Sequence, residues 1–555
     1  MFDIPPTATR RILLVAACCA ATVAFFFRVQ IASGFSLLNG DRYDGVIELA
    51  ILEHWYNVFR GLEPFAGTFY FYPAEGALGY NDGYFLYALI YAPLRAAGAD
   101  PFLAGELVHV ALRTLCFVAV YAACRRILAL SAPWSVFAAM LATLSHAMFV
   151  QALHGQLFAV GFAPVMALLA DGVIAAFLAR NPRGFLLWAG AAALLLGAWL
   201  LTAFYTAWFF LFFAGFAAAG FAVLAPPGTA ARWKECARAQ IAALLAAAGF
   251  FILALLPFLW VYLPKAAQTG QHSYADVFAY TPSPLDAVNL GSGNLLFGWL
   301  SGTSGWSEMT SGIPPVLLVV FACVTVWLWR GRKMGERTAL VLAAAALASW
   351  LMTVHIGRFS LWAAIYDFVP GARAIRVVAR YQLFLALPVA AIAALFLARH
   401  AARIGAPFLI LICALLIGEE IDTKPPLRLD RAHELARLAA VPPAPSPCRA
   451  FFVSAARGEG LAGPYVDGIY SHNVDAMMIA ETLRLPTPNG MATFAPPGWN
   501  LVDPAGSTYR ANVRRWAAAH GIAGLCGLDL RAMRWNLSPF TQNGQTPYTP
   551  SSQKR

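Results

Sequence analysis

Residues 39–59 read NGDRYDGVIELAILEHWYNVF, and after a turn-rich stretch residues 69–82 read FYFYPAEGALGYND. The first piece follows an apolar run and opens with two aspartates, Asp41 and Asp44, set between Gly40 and Gly45. Beyond Asp44 the apolar residues recur at helical spacing, which predicts a helix over 45–59 with Asp44 as its cap. Carboxylates and aromatics this dense beside an apolar run are costly at a bilayer surface unless they are used. A carboxylate held there can deprotonate a hydroxyl or an amine. Two of them can instead divide the tasks of base and metal ligand.

The rest of the chain supplies the membrane. Of 555 residues, 60% are hydrophobic and 12% charged, with mean hydropathy +0.63. Soluble domains carry about 25% charged residues, so a soluble globular fold is excluded. Apolar runs at 12–32, 102–123, 132–150, 156–178, 184–202, 204–224, 238–262, 313–329, 338–355, 378–397 and 406–421 predict an all-α polytopic membrane protein of about eleven spans. The run 12–32 continues past Cys18 through Phe27, which predicts an uncleaved anchor. With that count every basic cluster, from Arg10/Arg11 to Arg399/Arg403, falls on one side, the cytoplasm, with the N-terminus. The net charge of +11 is explained by these flanks and does not imply nucleic acid. The short run 84–97, interrupted by Pro93, reads as a juxtamembrane or re-entrant helix.

Three outer loops follow: 33–101, 263–312 and 356–377. After the transmembrane part, 1–421, a proline-rich linker covers 422–445. Residues 446–535 read as a small periplasmic α/β domain, and 536–555 as a disordered tail. Seven of nine cysteines lie in or beside spans; Cys448 and Cys526 lie in the outer domain, where a disulfide can persist.

Several polar constellations fall on the outer side. Glu75, Tyr80 and Asp82 lie in FYFYPAEGALGYND, and the tyrosines there suit sugar stacking or an interfacial belt. The tight turn QALHGQ carries Gln151, His154 and Gln156, one helical turn after His146. RAIRVVARYQ carries Arg373, Arg376 and Arg380 against the charge bias; their spacing predicts one helical stripe, suited to phosphate oxygens. Glu106, His109 and Arg113 form a second stripe inside a span, either mutual glue or a transport path. Glu308 stands at the outer edge of a later span. Walker A, zinc-finger, Ser-His-Asp and dinucleotide-binding signatures are absent from the sequence.

GDRYDG, FYPAEGALGYND, HAMFVQALHGQ and PGARAIRVVARYQ, with VDAMMIAETLRLPTPNGMATFAPPGWN near the end, resemble the GT-C glycosyltransferases, nearest the poorly characterised bacterial GT-C-like membrane proteins. The likeness runs from about residue 35 to 530 by scattered motifs. It implies a bacterial inner-membrane enzyme that takes a sugar from a polyprenyl-phosphate donor and gives it, with inversion, to a glycan, lipid or protein. It gives the role of base, or of metal and acceptor ligand, to Asp44 or Asp41, and donor-phosphate binding to Arg373, Arg376, Arg380 and Arg358. Glu75, Tyr80, Asp82, His154, Gln156 and Glu308 would line the substrate site. The family's usual Asp-Glu pair is absent, which leaves a divalent metal at Asp41 and Asp44 open. A flippase of lipid-linked glycans and a non-catalytic assembly protein are the competing readings.

Overall fold

A computed structural model describes residues 6–301, 307–331, 336–424, 428–458 and 467–537. The predicted tail beyond Leu537 lies outside these residues. The fold is that of a polytopic all-α membrane protein with a small C-terminal α/β part. Among the described residues, eight helical stretches are long and apolar enough to cross a membrane: Thr9–Phe26, Pro101–Arg126, Ala132–Val150, Gly155–Leu178, Pro182–Thr202, Phe204–Val223, Ile241–Thr269 and Val378–Ile404. Pro315–Arg330, Arg337–Met352 and Ala406–Gly418 are apolar but shorter, as is Phe85–Ala96.

Local chemistry sets the helix ends. Asp100 accepts from Phe102 N and Leu103 N ahead of Pro101, and Asn181 accepts from Gly184 N ahead of Pro182. Each pairs a side-chain cap with a proline whose missing N–H costs nothing in the first turn. Small residues then let helices touch. A Cβ on Gly197 would lie 2.1 Å from Ala254 O, so the Pro182–Thr202 and Ile241–Thr269 helices approach backbone to backbone. The Val378–Ile404 stretch is mostly buried, whereas Ile241–Thr269 buries almost none of its residues.

The chain divides into two compact units. The first comprises the chain up to Glu48 with Asp82–Arg431; the second comprises Leu49–Asn81 with the chain from Ala432 onward. The division falls inside the Asp44–Phe59 helix.

In the first unit, Leu37–Asn39 pairs antiparallel with Arg428–Asp430, Leu38 opposite Leu429. Glu106 grips the end of that strand, accepting from both Asn39 N and Asn39 Nδ2 at 2.8 Å. His109 Nε2 stands 2.9 Å from Glu48 Oε1, with its ring stacked on Phe158. The buried stripe is thus spent on fastening the GDRYDG turn at both ends. Arg113 joins neither carboxylate; it donates to the carbonyls of Ala142 and Thr143 and lies over the Phe26 ring.

In the second unit, Ala450–Ala455 pairs parallel with Leu525–Asp529, which pairs antiparallel with Arg534–Asn536. The strand period of two sorts the side chains. Phe451 and Val453 pack with Ala476, Ile479 and Leu528 on one face. Ala450 and Phe452 pack with Tyr509, Val513 and Leu525 on the other. Cys448 and Cys526 are bonded, with Cα atoms 5.6 Å apart. The first-loop segment joins by backbone pairing: Phe71 N donates to Asn489 O, Tyr72 N to Thr487 O, and Thr487 N to Phe69 O.

Candidate active site

Asp41, not Asp44, caps the Asp44–Phe59 helix. Asp41 Oδ1 accepts from Tyr43 N at 2.9 Å and Gly45 N at 3.3 Å. This corrects the expectation that Asp44 is the cap. Helix residues begin at Asp44 itself, so the residue that can reach back to orphan N–H groups is the one before the first turn.

Asp44 is thereby left for another partner. One turn apart, Asp44 and Glu48 share a helix face, and both point at the turn around Gly155. His154 Nδ1 stands 2.8 Å from Asp44 Oδ2. A Cβ on Gly155 would lie 1.7 Å from Glu48 Oε2, so only glycine lets Glu48 pass. Gln156 Oε1 accepts from Tyr84 OH at 3.0 Å, and Tyr87 OH donates to Gly155 O at 2.9 Å. Tyr84 itself sits in the left-handed region at φ 52°, a strain that concentrates at working sites. The other polar groups of this stretch go elsewhere: His146 Nε2 lies 3.0 Å from Asp422, and Gln151 donates to Thr310 O.

Arg376 and Arg380 arrive by a path that is not helical. Two single turns, Ala372–Ala374 and Val378–Arg380, are separated by extended residues. The expected stripe therefore does not exist. Pro370 and the left-handed Gly371 break the helix, and Ala379 N donates to Tyr280 O while Ser311 donates to Ala379 O. Arg376 is held by its backbone N–H on Tyr205 OH at 2.6 Å, with its guanidinium over the Tyr280 ring. Arg380 is buried, and its Nε has no hydrogen-bond partner among the described residues. Arg373 turns away, exposed, to Asp367 and Tyr366 O. Arg358 is exposed in the turn of a small hairpin, His355–Ile356 with Phe359–Ser360.

The charges meet around Asp44. Burial works to raise its carboxyl, but the close approach of His154 and the fields of Arg380 and Arg376 hold it below the ordinary carboxylate range. Its side chain is still 41% exposed. Asp41 goes the other way: burial first, then the Asp44 charge, push it up to about 6 against its backbone hydrogen bonds. Burial and Arg380 together lower His154, whose Nδ1 faces Asp44 Oδ2 without a well-directed hydrogen bond among the described residues. Asp82 accepts from Phe204 N at 3.0 Å, capping the Phe204–Val223 helix; burial pushes it up to about 6 while Arg380 pulls it down. Glu308 adds its field to His154. Glu75, exposed, and Tyr80, buried, belong to the second unit.

Asp41 and Asp44 do not form a ready-made cation cage of protein ligands. Asp41 is engaged by backbone donors, and no third His, Cys, Asp or Glu ligand atom converges on the pair among the described residues. Tyr84, Tyr205 and Tyr280 are the site residues that sequence reasoning missed. A tyrosine beside a span reads as an interfacial anchor, and nothing in its spacing marks it otherwise.

No protein-family model matches the sequence, and no curated protein matches it. Among solved structures, the crystal structure of ArnT from Cupriavidus metallidurans in the apo state is similar over 87% of this chain and 86% of that one, at 13% identity and a TM-score of 0.37.

Proposed function

We propose that the chain is a membrane glycosyltransferase of the GT-C type. It moves a sugar from a polyprenyl-phosphate donor to a glycan, lipid or protein acceptor on the periplasmic side of a bacterial inner membrane. One observation carries the reading: an ionised, partly open carboxylate, Asp44, lies in the field of a buried guanidinium, Arg380, whose Nε has no hydrogen-bond partner among the described residues. If the eight long helices and the three shorter ones other than Phe85–Ala96 cross, the helix ends that carry His154, Phe204 and Arg380 share one side with the GDRYDG turn. The basic pairs at Arg125/Arg126 and Arg399/Arg403 fall on the other, as the charge bias requires.

The donor phosphate rests on Arg380 and Arg376, which guanidinium geometry suits. An acceptor hydroxyl faces Asp44. As its oxygen attacks the anomeric carbon, Asp44 takes the proton, and the bond from that carbon to the phosphate oxygen breaks with its electron pair. Charge grows on the departing phosphate, where the fixed arginines count most. His154 holds the Asp44 carboxylate in place. The donor also tunes the base. An anion on Arg380 and Arg376 screens their field, so Asp44 becomes more basic only when the site is loaded.

The test is a transfer assay with lipid-linked sugar donors on protein in nanodiscs. Asp44→Asn is expected to lose about 10²–10⁴-fold in kcat with donor affinity retained. Asp41→Asn still caps the helix and keeps most activity. Equal loss in both variants, or none in Asp44→Asn, refutes the assignment.

A further inference from the structure

A second cluster of ionisable groups lies entirely within the second unit, and the proposed transfer reaction does not use it. His54 comes from the later turns of the Asp44–Phe59 helix, Glu63 from the turn that follows, and Glu481 from the end of the His472–Leu483 helix. All three are buried: His54 is 0% exposed, Glu481 1%, and the Glu63 side chain 1%. One ligand atom from each lies within 4.8 Å of the others.

The hydrogen-bonding pattern leaves a positive charge missing. His54 Nε2 faces Phe65 O at 3.3 Å, which calls for a proton on Nε2. Its Nδ1 is then a lone pair, yet it stands 2.9 Å from Glu63 Oε2, another acceptor. Neither Glu63 oxygen nor His54 Nδ1 has a well-directed hydrogen bond among the described residues. Glu481 is oriented from behind: Oε1 accepts from Phe69 N and Oε2 from Asn57 Nδ2, both at 3.2 Å. An imidazole fixed through its far nitrogen by a carbonyl, and a carboxylate fixed by amide donors, are the supports metal ligands usually have.

We propose that His54, Glu63 and Glu481 hold a divalent transition-metal ion, zinc the expected occupant, which staples the Leu49–Asn81 segment to the Glu481 helix within the second unit. One nitrogen and two carboxylate oxygens suit zinc with a fourth position for water. Magnesium and calcium prefer six or more oxygen ligands, and imidazole favours the transition metals. Tetrahedral zinc bonds of about 2.0–2.1 Å put ligand atoms about 3.4 Å apart, so the trio closes with shifts under about 1 Å. Without a cation, burial pushes Glu63 up to about 8, and burial with the Glu63 charge pushes Glu481 well above the carboxylate range. The competing account is therefore a proton shared by the two carboxyls.

The two accounts separate on the full-length protein in detergent. The protein is stripped with a chelator, reloaded with zinc, and followed by elemental analysis and thermal melting. Binding of about one equivalent, a melting temperature that falls on stripping and recovers by several degrees on zinc, and tetrahedral cobalt bands on cobalt substitution are expected. His54→Gln should lose the metal and the shift. Glu481→Gln mimics a protonated carboxyl: under proton sharing it melts like wild type and zinc changes neither protein. That outcome, or stripped wild type taking up no more zinc than His54→Gln, overturns the proposal. The wild-type strip-and-reload series stands even if a variant fails to fold. The result is also independent of glycosyl transfer, since metal content and melting are read without substrate.

Discussion

Asp41 and Asp44 lie three residues apart, and one local fact separates them: backbone N–H groups claim Asp41, which frees Asp44 for His154 and the arginines. The pH profile of kcat/KM should show which is the base. A base works only when ionised, so activity is lost as pH falls through its pKa. Asp44 is held below the carboxylate range, and the profile should stay level through pH 6. An inflection near 6 would take the role from Asp44 and point to Asp41 or Asp82, whose carboxyls both sit at about that value; Asp41→Asn then tells the two apart. Arg380→Gln supplies a second check with a definite sign. Losing the cation raises Asp44, so the acid limb moves to higher pH. Donor KM should rise about 10–100-fold, as expected for losing a charged hydrogen bond. The acidic pair was legible in the sequence as a motif, but the division of labour was not, because it turns on which residue falls before the first helical turn.

At the level of elements, the apolar helices were readable because about 20 apolar residues leave the backbone no other way to satisfy itself in lipid. The arginine segment was misread for the opposite reason. Its i, i+3, i+7 spacing imitates a helix, while Pro370 and Gly371 and tertiary hydrogen bonds to Tyr205 and Tyr280 dictate another path. The turn at Gly155 is the tightest constraint on the site. In Gly155→Ala the new Cβ overlaps Glu48, so either Glu48 leaves His109 or the turn moves and carries His154 off Asp44. A loss of about 3 kcal/mol or more is expected. Activity in the surviving protein should fall about 10²-fold, as for an ångström-scale misplacement. Thermal melting and a transfer assay on the same preparation read both.

Over the whole molecule, the sequence shows an apolar part and a mixed C-terminal part, but not that residues 49–81 join the latter. That join is made by Phe71 and Tyr72 pairing with Thr487 and Asn489, partners too distant in the chain for any local pattern to announce. The His54–Glu63–Glu481 cluster was hidden for the same reason. The Cys448–Cys526 link closes a loop across a sequence separation of 78, worth about 4.5 kcal/mol in a chain-entropy treatment. Replacing both cysteines with serine should lower the melting transition of the C-terminal unit, and reductant should then have no further effect on it. The long Ile241–Thr269 helix, mostly exposed apart from its packing on the Pro182–Thr202 helix, has a bearing on how substrate is met. Its 29 residues reach about 43 Å at 1.5 Å per residue, against a hydrocarbon slab of about 30 Å. At the average tilt of about 20° a crossing helix of this length still spans about 40 Å, which carries its polar end Pro264–Thr269 into the headgroups. The segment that brings Tyr280 and Glu308 therefore starts at the depth where lipid phosphates lie.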